Sequence, residues 1–297
     1  ALGDLIQITN ALKSIRHKYP DSKITLLTDK KFNFFSDKII FIDEVIYENR
    51  SSFLRIDLWL AVILKVIAKD FYLVFDLQNS DRTSIYYFFI RLFNSRVIWS
   101  GSRRGGVFKY RPKNFESIYI KDRIKNQLAL MHINIDDQPD ISWMIKKDMT
   151  GLPDNNFVIL LPGSSLQHKY KRWPAEKFAR VANYLKEKNI DTIILGQSYS
   201  EGYELKKIKL LAPKVIDFSD KDLNCLATTA SKAIGAIGND SGPAHIVAAA
   251  GCPVTWLLSG NFNPNVQLVG SKVNILKKDN IKDITVEEVT NNLALRD

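Results

Sequence analysis

Ala233-Ile-Gly-Ala-Ile-Gly-Asn-Asp-Ser-Gly-Pro-Ala-His-Ile-Val-Ala-Ala-Ala-Gly-Cys-Pro-Val-Thr-Trp-Leu257 reads as strand, turn, helix and strand in succession. Ala233 to Ile237 is a short apolar run of strand length, and Gly238 to Gly242 are small, turn-forming residues. Pro243 stands at a helix's first position, where a missing N–H costs nothing, and Gly251 closes that helix. Val254 to Leu257 opens the next strand. Strands apolar on both faces imply a parallel sheet covered by helices on each side.

The same alternation extends outward from this unit. Phe157 to Leu161, Thr192 to Leu195 and Val215 to Phe218 read as further buried strands, with helices near 174–187, 200–211, 222–230 and 243–250. In the first half the expected strands are Lys23 to Leu27, Ile39 to Phe41, Tyr72 to Phe75 and Arg96 to Trp99. Leu5, Ile8, Leu12 and Ile15 recur at helical spacing, which predicts one helix over 5–18 closed by Pro20. The polar stretch Asp136 to Asn156, with Pro139, Gly151 and Pro153, divides the chain into domains 1–150 and 151–297. Two doubly wound α/β domains in tandem would bind ligands beyond the carboxyl ends of their strands.

Composition narrows the function classes. The chain has 297 residues, 45% hydrophobic and 11% aromatic, which fits neither a disordered nor a fibrous protein. Cys225 and Cys252 are too few for a disulfide framework, so a reducing compartment is the default, and the four histidines show no zinc spacing. The longest apolar stretch, Leu58 to Ala68, is about half of the ~20 residues a membrane span needs. The net charge of +10 is uneven: residues 1–150 hold 24 basic and 17 acidic side chains, the remainder 18 and 15. That balance favours polyanionic partners in the first half.

Four segments could carry chemistry. The Asp240-Ser241-Gly242 turn presents backbone N–H groups and the positive end of a helix dipole, which suits a diphosphate; as an alternative, Asp240 or Ser241 caps the helix and His245 is a satisfied polar residue. Pro162-Gly-Ser-Ser-Leu-Gln-His-Lys-Tyr-Lys-Arg-Trp-Pro174 also joins a strand to a helix, with hydroxyls at Ser164 and Ser165 and cations at Lys169, Lys171 and Arg172; it fits either a phosphate site or a solvated loop. Trp173 is core in both readings. Asp4, after Gly3, is a helix N-cap or a general base facing a sugar hydroxyl. Arg91 to Lys113 carries seven cations and no acid, including Arg103, Arg104 and Lys109. Interleaved Phe93, Trp99, Phe108 and Tyr110 give this run an amphipathic character suited to an anionic lipid surface or a solvated loop.

Taken together and in order, these segments resemble the heptosyltransferases, glycosyltransferase family 9. The matching pieces are Ala1-Leu-Gly-Asp-Leu-Ile-Gln-Ile-Thr-Asn-Ala-Leu12, Tyr72-Leu-Val-Phe-Asp-Leu-Gln-Asn-Ser80, Lys171-Arg-Trp-Pro-Ala-Glu176, Leu195-Gly196 and Gly238-Asn-Asp-Ser-Gly-Pro-Ala-His245. The resemblance implies a GT-B fold of two Rossmann-like domains facing a cleft, with an N-terminal acceptor domain and a C-terminal nucleotide-sugar domain. It implies an inverting, metal-independent transfer of heptose from ADP-heptose to the Kdo/heptose inner core of lipopolysaccharide, without a cofactor. Asp4 matches the family's catalytic base and Lys171 the group that stabilises departing ADP. Ser164, Ser165, Lys171, Asp240, Ser241, Gly242 and His245 match its donor contacts. The implied partner is a Kdo-lipid A type precursor, met by a cytoplasmic enzyme peripheral to the inner membrane, with Arg103, Arg104 and Lys109 on the acceptor or membrane surface and no nucleic acid involved.

The chain departs from the family pattern in lacking the opening strand before Gly3-Asp4, so its first sheet is expected to miss a central strand. Asn10 replaces a common Pro, and Ser241 a commoner Thr. Competing readings are a GT-B transferase or epimerase using another nucleotide sugar, and a basic module binding membrane or nucleic acid.

Overall fold

The computed structural model describes residues 2–49, 56–102, 105–260, 266–270 and 272–296. In chain order its first unit contains α2 (Thr9–Lys18), β1 (Thr25–Asp29), α3 (Asn33–Ser36), β2 (Glu44–Glu48), α4 (Ile56–Ile67), β3 (Leu73–Phe75), α5 (Asp81–Phe93), β4 (Ile98–Gly101), β5 (Phe108–Lys109) and α6 (Ile120–Ala129), preceded by α1 (Leu2–Gln7). The second contains β6 (Phe157–Leu161), α7 (Ala175–Glu187), β7 (Asp191–Ile194), α8 (Ser198–Leu211), β8 (Ile216–Asp217), α9 (Leu223–Lys232), β9 (Gly235–Asn239), α10 (Gly242–Ala249), β10 (Val254–Ser259), β11 (Val273–Lys278) and α11 (Val286–Asn291).

The compact units are residues 8–137 on one hand and residues 1–7 with 138–297 on the other. The division thus precedes the position near 150 expected from composition. Residues 138–150 are held by the second unit: Ile141 and Met144 are buried, and Lys146 N donates to Thr228 Oγ1 at 2.9 Å. The helix expected over 5–18 is two helices, broken at Ile8 (φ −90°, ψ −2°). Its single apolar stripe serves both units, α1 joining the second while Ala11 and Ile15 pack with Ile124 and Leu128 in the first.

In residues 8–137 all strands pair in parallel, as two separate ladders, β1-β2 and β3-β4-β5. Apolar residues at helical spacing explain α4, whose Trp59, Val62, Ile63 and Val66 pack with Tyr86, Ile90, Val97 and Trp99. Ile39 to Phe41 is not a strand. Turn bonds from Lys38 N to Phe35 O and Ile39 N to Ser36 O bury Ile39 without pairing it. The strand follows at Glu44–Glu48, its entry fixed by Asp43, which accepts from Ile24 N at 2.7 Å and from Arg16 at 2.5 Å. This strand, outside the expected set, carries glutamate at each end of a three-residue apolar centre.

The second unit is a six-stranded parallel sheet, ordered β11-β10-β9-β6-β7-β8. Read from β8, this is the order 3-2-1-4-5-6 of a dinucleotide-binding sheet, with the direction of winding reversing between β6 and β9. Their register places Val158 opposite Gly235 and Leu161 opposite Gly238, so both chains leave the sheet side by side. Every residue of β6, β7, β9 and β10 is buried, as their apolar runs predicted. Half-buried β11, outside the expected set, is the edge strand against β10. No described helix is long and apolar enough to cross a membrane.

Candidate active site

Two loops meet where the winding reverses. The first, after β6, makes an exposed excursion through a 3₁₀ turn at Leu166–Lys171. Arg172 organises it from inside. Buried itself, the guanidinium donates from Nε to Ser164 Oγ at 3.2 Å and from Nη2 to Ser164 O at 2.8 Å and Ser200 O at 3.0 Å. Its Nη1 pairs with Glu204 at 2.8 Å. Ser164 Oγ in turn donates to His168 O at 2.9 Å, while Ser165 is exposed. The Ser164 hydroxyl and the Arg172 charge, read as ligand groups, are therefore engaged in holding the loop. Trp173 is core, as expected, with Nε1 donating to Ile284 O at 2.9 Å.

The second loop, after β9, turns into α10. Ser241 is the N-cap by backbone geometry, but its side chain makes no capping bond, and its buried Oγ has no hydrogen-bond partner. The reading of Ser241 as an ordinary cap therefore fails, and its hydroxyl is left with the α10 amides at the positive end of the helix. Lys171 reaches across from the first loop and pairs with Asp240, Nζ to Oδ2 at 2.6 Å, with both side chains less than one-fifth exposed. Asn239 bonds both Pro162 O and Trp173 N. Beyond the carboxyl ends of β6, β7 and β9 a cavity is lined by Gly163, Gly196, Glu201, Leu223, Ser241 and Pro243.

Asp4 and His245 complete the cluster. α1 packs on α10, with the Gly3 backbone against the His245 ring. His245 is buried, edge-on to Trp256 at 6.3 Å. Burial pushes its pKa below the usual 6.5, opposed by the negative charges of Asp240 and Asp4. Asp4 itself lies within the first turn of α1 and is exposed, so it is not the N-cap.

The eight residues singled out from sequence as catalytic or donor-binding, Asp4, Ser164, Ser165, Lys171, Asp240, Ser241, Gly242 and His245, thus all lie in one unit. Lys109 lies on β5 of the other unit, exposed, and Arg103 and Arg104 fall outside the described residues. The basic run is not one amphipathic surface, because Trp99 is buried in the core against Tyr87. Sequence reasoning overlooked Glu201, a buried carboxylate whose pKa is raised by desolvation and which accepts from Gln197 N at 2.9 Å. The signal was available: an acidic residue following the second strand of such a sheet is a common ribose contact. Among the described residues no group of three or more His, Cys, Asp or Glu could hold a metal ion.

The profile of glycosyltransferase family 9 (heptosyltransferase) matches residues 59–289. Lipopolysaccharide heptosyltransferase 3 of Escherichia coli is 23% identical over 289 residues, spanning 86% of this chain and 79% of that protein. Among solved structures, a glycosyl transferase family 9 protein of Veillonella parvula superposes with a TM-score of 0.77 at 23% identity, covering 98% of this chain and 93% of that one. Escherichia coli heptosyltransferase WaaC with ADP superposes with a TM-score of 0.73 at 17% identity, covering 98% and 95%. The fold they share is the GT-B type, built from two Rossmann-like domains.

Proposed function

The chain belongs to glycosyltransferase family 9, the heptosyltransferases, and from that premise we propose that it moves heptose from ADP-heptose to the Kdo/heptose inner core of lipopolysaccharide, with inversion and without a metal or cofactor. The observation that carries the donor assignment is the Lys171–Asp240 pair beside the unpartnered Ser241 hydroxyl, at the reversal of the sheet. A diphosphate there meets the Ser241 and Gly242 amides, the α10 dipole and the Lys171 ammonium, with exposed Ser165 on the rim. The nucleoside enters the cavity beside Glu201, whose carboxylate suits ribose hydroxyls.

Cleaving the sugar–phosphate bond leaves an oxocarbenium-like carbon and builds charge on departing ADP. Groups already aimed at that charge stabilise the transition state more than the bound donor, and that is the role of Lys171. Asp240 fixes the direction of the Lys171 ammonium. Asp4 takes the proton of the acceptor hydroxyl as the oxygen attacks the anomeric carbon from the face opposite ADP. His245, neutral in its buried setting, supports α1 and through it Asp4.

The acceptor, a Kdo-lipid A type precursor, is rich in carboxylates and phosphates. The positive balance of residues 1–150, with exposed Lys109, favours such a partner and a peripheral position at the cytoplasmic face of the inner membrane. The test is mass spectrometry of the purified protein with ADP-, UDP- and GDP-sugars, with and without truncated lipopolysaccharide acceptors. Acceptor-dependent consumption of ADP-heptose is expected; epimerisation or hydrolysis of another nucleotide sugar without acceptor would overturn the assignment.

A further inference from the structure

The loop that carries Lys171 is closed at its base by one amide. Asn239, the last residue of β9, is fully buried. Its Nδ2 donates to Pro162 O at 2.7 Å, where the chain leaves β6. Its Oδ1 accepts from Trp173 N at 3.1 Å, where the chain approaches α7. One side chain therefore holds both ends of the excursion 162–173, whose tip, residues 165–170, is exposed. Asp240, the next residue, takes Lys171 from the same loop. Two adjacent residues of one strand end thus set where the loop starts, where it finishes and where its ammonium points.

We propose that Asn239 is a positioning residue for transfer: it acts on the reaction through Lys171, by fixing the base of the loop against the β9–α10 turn. The proposal rests on the donor-site reading above. An amide does this with two separate atoms, Nδ2 donating toward one carbonyl and Oδ1 accepting from one N–H, whereas a hydroxyl carries both functions on a single shorter-reaching oxygen. Aspartate keeps an acceptor for Trp173 N but places a carboxylate oxygen against Pro162 O. An aliphatic residue leaves both backbone groups buried and unpaired. With its base released, the loop retains the Arg172 clamp on its inner side, so the fold survives while Lys171 loses its register against Asp240.

The test is a double-mutant cycle in steady-state transfer from ADP-heptose, with Asn239→Asp, Lys171→Ala and both together. Asn239→Asp is expected to lower kcat on the order of 100-fold, as displacements near 1 Å do, with a smaller change in donor KM. In the Lys171→Ala background the same change is expected to alter kcat by no more than about twofold, the scatter of independent sites. Equal losses in both backgrounds, or a kcat for Asn239→Asp near that of the parent, would overturn the proposal.

Hydrogen exchange supplies a readout independent of turnover. Trp173 N–H and residues 163–171 should exchange faster in Asn239→Asp while β6 and the body of α7 stay protected; unchanged exchange contradicts the clamp. Were the parent protein inactive with ADP-heptose, the donor assignment would fail, and exchange would still decide whether Asn239 holds the loop. Asn239→Ser, smaller and uncharged, is measured alongside so that a folding defect in one variant does not settle the question.

Discussion

Replacing Gly3 by alanine tests whether α1 is a rigid part of the donor-site unit. A Cβ at this position would stand 2.7 Å from both Cδ2 and Nε2 of His245, against about 3.4 Å for ordinary contact. Ring and helix must therefore separate by the difference, about 0.7 Å. The ring has little room to retreat, since it is 7% exposed and packed edge-on to Trp256. The opposing surface is also tight, though less so, a Cβ on Gly242 meeting Leu2 at 3.1 Å. The displacement consequently falls on α1 and carries Asp4 with it. Overpacking of this kind costs roughly 1–3 kcal/mol, and if Asp4 is the base, as proposed, moving it by most of an ångström should cost on the order of 10–100-fold in kcat. Urea denaturation reads the first quantity and steady-state transfer the second. Gly202→Ala serves as the control, because an added Cβ there meets nothing within 4 Å and lies in α8, where alanine favours the helix. If Gly3→Ala is as stable and as active as its parent, the packing of α1 on His245 is wrong.

Two further outcomes follow from the buried groups. His245 has a pKa below its unfolded value of 6.5, so the unfolded chain binds the proton first as pH falls. Its contribution to stability is present above pH 6.5 and is lost as pH drops through the folded pKa. Urea midpoints measured from pH 7.5 down to 5 should fall less steeply in His245→Gln than in the parent; parallel curves contradict the burial argument. Arg172→Lys keeps the charge but cannot reproduce a fork that contacts Ser164, Ser200 and Glu204. It should cost about 2–3 kcal/mol by leaving buried acceptors unmet, a loss that a denaturation curve within 0.5 kcal/mol of the parent, the usual size of a surface change, would rule out.

The second half of the chain was the more legible in sequence, and the physical reason is burial. β6 and β10 are buried along their whole length, so uninterrupted apolar runs mark them and their boundaries fall within about two residues of expectation. In the first half, Ile39 to Phe41 is as apolar as a strand but is folded into turns, while the true strand has glutamate at each end. Period alone could not show that Leu5 and Ile15 belong to different units, because the break at Ile8 leaves the spacing intact. At the site, Lys171 and Asp240 were each legible as ligand groups, but their pairing across 69 residues depends on β6 and β9 being neighbours. The inward turn of Ser164 and Arg172 was hidden for the same reason: composition shows which groups could bind a phosphate, and only the packed loop shows which are already engaged.

The decisive measurement is the rate of transfer from ADP-heptose to an inner-core acceptor by the parent protein, Lys171→Ala and Asp4→Asn, each confirmed folded by circular dichroism. With Lys171 stabilising the departing diphosphate, Lys171→Ala should lose on the order of 10²–10³ in kcat. With Asp4 as the base, Asp4→Asn should lose on the order of 10²–10⁴. ADP should still bind Asp4→Asn as it binds the parent. Parent-like turnover in either folded variant would contradict the central assignment.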